Sequence, residues 1–90
     1  MPPAAPGASA ASSLGVLVRY LVVALVDHPD EVEVRALNLP SGLVLELRVD
    51  PTDLGKVIGR KGQTARALRT VLGAAAARDR HRVVLNILED

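Results

Sequence analysis

The sequence predicts a two-layer α+β domain, a three-stranded sheet covered on one face by three helices. Three observations carry this. Two runs that alternate with period two, Glu31–Leu39 and Leu43–Val49, flank a short Pro40-Ser41-Gly42 turn. A third alternating run, Arg82–Leu88, lies near the chain end. Between them a helical pattern repeats apolar residues at Ala65, Leu68, Val71, Leu72 and Ala75. Ninety residues allow one such domain. A domain this small has to bury nearly every apolar residue it carries.

The elements follow in order. Residues 1–13 (MPPAAPGASAASS) have no periodicity and are expected to be a disordered tail, leaving 14–89 as the domain. Leu14–Val26 reads as a helix capped by Ser12 or Ser13. It is apolar almost all round, with Arg19 its one charge. Such a helix is buried on more than one side, which points to a second chain over its outer face. It is too short to span a bilayer, which takes about 20 residues. Asp27-His28-Pro29-Asp30 stops it, because the residue before a proline disfavours helical backbone.

The two alternating runs form a hairpin with one wet face. Val32, Val34 and Ala36 point in, as do Leu43, Leu45, Leu47 and Val49. Glu33, Arg35, Glu46 and Arg48 point out. Asp50-Pro51-Thr52-Asp53 starts a helix: Asp50 caps, Pro51 suits the first helical position and Asp53 complements the dipole. This helix is short, Leu54 to Ile58, and Gly59 ends it. The loop Gly59-Arg60-Lys61-Gly62 follows, then a helix from about Gln63 to Arg78. Asp79-Arg80 turns the chain into the last strand, with Val83, Leu85 and Ile87 facing in.

Composition narrows function. There is no Cys, Phe or Trp, and Tyr20 is the only aromatic residue. Disulfide frameworks and Cys-based zinc sites are excluded. So are modules that stack bases on exposed rings. Net charge is only +1, but it is unevenly placed. Between Thr52 and Arg82 eight cations face Asp53 and Asp79, a net of +6; residues 1–51 hold three Arg against six acids, a net of −3. A basic segment of this kind is the footprint of a phosphate-bearing partner.

Val57-Ile58-Gly59-Arg60-Lys61-Gly62 is the centre of that segment. Gly59 and Gly62 let phosphates approach the main chain. Arg60, Lys61 and Lys56 supply charge, Arg66 and Arg69 extend the basic track, and the following helix aims free N–H groups at the loop. Val57, Ile58 and Leu68 are candidates to floor a groove for bases. G-x-x-G between two helices is the device by which KH domains clamp the backbone of about four nucleotides. A mononucleotide P-loop does not fit, because Lys61 is followed by Gly62 and a helix precedes the loop. His28 and His81 read as exposed loop histidines with no partner at relay spacing, and no catalytic set is visible. An interaction protein that dimerises through its apolar first helix is the alternative reading.

Leu21-Val22 through Leu25-Val26-Asp27-His28-Pro29-Asp30-Glu31-Val32, then Gly55–Gly62, then Ala67-Leu68-Arg69-Thr70-Val71 and Ala74-Ala75-Ala76 resemble the small bacterial single-KH-domain RNA-binding proteins of the KhpA family. The resemblance covers about residues 14–89. It implies a type II KH fold and a non-enzymatic cytoplasmic protein without cofactor, metal or small-molecule substrate. It implies binding of single-stranded RNA with little sequence preference. It also implies homodimers, or heterodimers with a larger multidomain KH protein, and a link to cell elongation and division through RNA chaperoning or post-transcriptional regulation. Carried over by position, the family motif falls on Lys56, Ile58, Gly59, Arg60, Lys61 and Gly62.

Overall fold

A computed structural model describes residues 6–78 and 82–89. The elements are α1 (Pro6–Val23), β1 (Glu33–Leu39), β2 (Gly42–Arg48), α2 (Leu54–Ile58), α3 (Gln63–Arg78) and β3 (Val83–Ile87). Single 3-10 turns occupy Pro29–Glu31, Pro51–Asp53 and Arg60–Gly62. The expected α+β architecture is present, with three helices and a three-stranded mixed sheet. The expected turn at Asp79-Arg80, along with His81, lies outside the described residues.

The first helix differs from expectation at both ends. It starts at Pro6 rather than Leu14, so residues 6–13 extend the helix instead of forming a disordered tail. Alanine and serine there carry little helical penalty, and proline suits a first helical position. Residues 1–5 lie outside the described residues. The helix stops at Val23 rather than Val26. The reason lies further on: the amides of Asp27 and His28, which a longer helix would pair internally, donate instead to the Asp53 carboxylate.

Leu14, Val18 and Val22 recur every fourth residue and are buried, as helical spacing requires. They pack with Leu45, Leu47, Val57, Leu72 and Leu85 in one core between the helices and the sheet. The central strand is β2, antiparallel to β1 and parallel to β3. The β1–β2 hairpin needs only a two-residue connection, Pro40-Ser41. The parallel pair needs a crossover, which α2, the glycine loop and α3 supply. Register sets Val34 against Leu47 and Leu45 against Leu85 on the inner face. On the outer face it sets Glu33 against Arg48 and Arg35 against Glu46, opposite charges across neighbouring strands. The crossover therefore carries the loop to the end of the sheet where β2 finishes.

Candidate nucleic-acid interface

The approach to the loop is built by Asp50. Its carboxylate accepts the Thr52 N–H at 2.9 Å and the Thr52 hydroxyl at 2.7 Å, with Pro51 in the first position of the turn. The Thr52 hydroxyl and amide hold the Asp50 carboxyl below the ordinary carboxylate range. The next helix, α2, lasts five residues because Gly59 takes the chain out of it. Gly59 still donates its N–H to Gly55 O at 2.8 Å, then turns to φ 77°, ψ 171°, a region open essentially to glycine alone.

The two loop glycines answer to different constraints. A Cβ on Gly59 would overlap the Thr64 hydroxyl and come within 2.8 Å of the Thr64 backbone N. Gly59 is needed so that α2 and α3 can meet. A Cβ on Gly62 would touch nothing within 4 Å; only its φ of 73° favours glycine. Space is open at Gly62, where a ligand could reach the main chain. Between them Lys61 itself stands at φ 56°, ψ 26°, a left-handed conformation that a lysine adopts at a cost of about 1 kcal/mol.

Arg60, Lys61 and Arg66 are exposed and have no acidic partner among the described residues. The two loop cations stand beside the first turn of α3, whose dipole adds partial positive charge, although the expected free amides are in part used: Gln63 N–H donates to Arg60 O and Gly62 N–H to Gly59 O. Arg69 is placed differently. Its Nε–H donates to Leu85 O at 3.4 Å, so the guanidinium lies against β3 rather than continuing the track of Arg66. It lines an open groove between α3 and β3 with Leu72, Val83, Val84 and Leu85. The sequence carries no signal for this groove, because its strand side comes from β3, whose place only the parallel pairing defines.

One expected groove residue is corrected: Val57 is fully buried, belongs to the core and cannot floor a surface for bases. Leu68 is 5% exposed, packed in the core with its outer edge lining the apolar groove between α1 and α3. Ile58 is half-buried and remains at the surface.

His28 also departs from expectation. Its side chain is half exposed, yet Nδ1 lies 2.9 Å from Asp53 Oδ2. Asp53 is not a surface dipole partner but a buried carboxylate, 1% exposed. It accepts the backbone N–H of Asp27 at 3.2 Å and of His28 at 2.9 Å. Lys56 Nζ lies 3.6 Å from Asp53 Oδ1 and pairs with Asp27 Oδ2. The expected free cation at Lys56 is thus already engaged, and its hydrogen bond to Asp27 raises its pKa. Burial pushes the Asp53 carboxyl up, but the Asp27 amide, the His28 ring and the His28 amide outweigh it and hold it below the ordinary range. The bond to Asp53 raises the His28 imidazole.

The signs of these two shifts fix a pH window. The contribution of Asp53 is present above the ordinary carboxylate range and is lost as pH falls through its lowered value. That of His28 is full below the ordinary imidazole range and is lost as pH rises through its raised value. The only sequence signal for this pair was a histidine before Pro29 and an aspartate 25 residues later, a separation that alone says nothing.

The match to a family model decides the wider identity. The model described as KhpA/KhpB, KH domain matches residues 16–87. This chain belongs to that family. Curated relatives named RNA-binding protein KhpA agree. One from Streptomyces coelicolor is 61% identical over 68% of this chain and 77% of its own length. One from Leifsonia xyli is 49% identical over 86% of this chain and 99% of its own. One from Borreliella burgdorferi is 48% identical over 81% of this chain and 89% of its own. No solved structure matches. The KhpA/KhpB domain is a non-enzymatic KH module, and the order α1-β1-β2-α2-α3-β3 is consistent with its type II form. Among the described residues no cluster could hold a metal ion, and no helix is long and apolar enough to cross a membrane.

Proposed function

We propose that the protein binds single-stranded RNA by gripping its backbone at Gly59–Gly62. The carrying observation is the loop itself: Arg60 and Lys61 stand without an acidic partner among the described residues, beside the open space at Gly62 and the start of α3, in a domain of the KhpA/KhpB family. Lys56 and Arg66 flank the clamp. Bases rest on aliphatic groups, with Ile58 near the loop and Arg69 along the α3–β3 groove. The left-handed backbone at Lys61 favours this reading, since strain of that kind collects at functional sites. Lys61→Asn tests it. Asparagine tolerates left-handed backbone better than lysine but carries no charge. The variant is expected to unfold no earlier than wild type while binding labelled oligouridine on the order of fivefold more weakly. Unchanged affinity in an anisotropy titration would count against the clamp.

A second subunit completes the reading. One site of about four nucleotides binds weakly, and pairing two sites raises the effective concentration for the second contact. Val16 and Tyr20 on α1 are 67% and 75% exposed. An apolar groove lined by Leu21, Leu25, Ala67 and Val71 runs between α1 and α3. The same groove favours the alternative of an assembly factor in which this contact matters more than RNA. The partner in this reading is a second copy or a larger multidomain KH protein, and the work is cytoplasmic, as an RNA chaperone or post-transcriptional regulator tied to cell elongation and division. Light scattering is expected to give twice the chain mass, and Leu25→Glu/Val71→Glu to give a folded monomer. A wild-type monomer with and without RNA rules out the homodimer.

A further inference from the structure

Four charged side chains meet beside the loop without belonging to it. Asp27 and His28 come from the turn after α1, Asp53 from the turn before α2, and Lys56 from α2 itself. Asp53 is the hub: buried, it holds two backbone amides and the His28 ring at 2.9–3.2 Å, with Lys56 Nζ at 3.6 Å. Gly59 follows Lys56 by three residues, so whatever fixes α2 also fixes the entry to the loop.

We propose that Asp53 and His28 are positioning residues for the RNA grip, holding Lys56 in place and setting how much of its charge a phosphate can recruit. This rests on the RNA-binding reading above. Lys56 has two acidic neighbours, Asp27 and Asp53. An imidazolium at His28 neutralises Asp53, and the four groups then sum to zero. A neutral imidazole leaves them at −1, and Asp50, whose charge also acts on His28, adds to that negative field. In the first state Asp27 alone competes with phosphate for Lys56. In the second Asp53 competes for it, and an approaching polyanion is repelled. The bond to Asp53 shifts the His28 titration upward. Linkage is reciprocal: if protonation of His28 strengthens RNA binding, bound RNA raises the proton affinity of His28 by the same factor.

The test is an anisotropy titration of labelled oligouridine from about pH 5.5 to 8.5 at constant ionic strength, a range that brackets imidazole titration. Wild-type affinity is expected to fall on the order of fivefold across it. H28Q is expected to flatten the profile at the weak, high-pH level. H81Q is expected to keep the wild-type slope, which assigns the effect to His28. D53N, its fold checked by circular dichroism, is expected to be flat as well. NMR of the His28 ring supplies a readout independent of any variant: its titration midpoint is expected to rise when RNA is added. A wild-type slope in H28Q, or a His28 midpoint unmoved by RNA, overturns the proposal. Failure of the RNA reading itself looks different, since R60D/K61D would then bind as tightly as wild type at every pH.

Discussion

Replacing Arg60 and Lys61 with aspartate is expected to weaken binding of single-stranded RNA by about a hundredfold. The change removes two cations and installs two anions, four charge units within reach of phosphate. At about 0.7–1 kcal/mol per unit at a hydrated surface, that is about 3 kcal/mol, or two decades in Kd. Fold stability should hardly move, because both side chains are exposed and neither has an acidic partner among the described residues. The salt dependence should fall too. Each phosphate contact on a single strand contributes about 0.7 to the slope of log affinity against log salt, so losing two contacts lowers it by about 1.4. Anisotropy titrations at several salt concentrations measure both quantities. A folded double variant that binds like wild type leaves the loop without a role in RNA binding.

Gly59→Ala is expected to destabilise the fold by about 3 kcal/mol, a large share of what a domain of this size holds. Two costs combine. An alanine cannot occupy φ 77°, ψ 171° without strain of about 1–3 kcal/mol. Its Cβ would also press to within 2.8 Å of the Thr64 backbone N, which cannot move without shifting the start of α3. Gly62→Ala meets no such obstacle, and its cost is the left-handed φ alone, about 1 kcal/mol. Urea unfolding of the two variants separates the cases. Equal midpoints would show that the Thr64 contact does not constrain Gly59. The contrast matters for function because it divides the motif: the first glycine joins two helices, while the second keeps open the surface beside Lys61.

Much of this was legible in the chain. The alternation of Glu33, Arg35, Glu46 and Arg48 with buried neighbours fixed which face of the hairpin is wet, because a strand repeats every two residues. Asp50-Pro51 marked the turn into α2, because capping is a local matter of one carboxylate and the amides just after it. The G-x-x-G spacing marked the loop, since glycine conformations are set by residues next to each other.

What local pattern cannot carry is any contact between distant residues. Helical periodicity places Leu68 in the apolar stripe that packs, but Val57, a groove candidate by its place beside the loop, is assigned to the core only by packing. Arg66 and Arg69 are three residues apart on one helix, yet only the position of β3 gave Arg69 a carbonyl to bind. Composition predicts a tail over residues 1–13, and α1 runs through 6–13 of it. The sequence by itself determined the loop, its charge, its flanking helices and the order of the elements, all of which depend on neighbours in the chain. Only the tertiary structure decided that Asp53 is buried, that His28 and Lys56 converge on it, and that β3 lies parallel beside β2. Those facts depend on distant parts of the chain meeting in one place, His28 on Asp53 25 residues away and Lys56 on Asp27 29 residues away, where burial removes the water that would otherwise satisfy the Asp53 carboxylate.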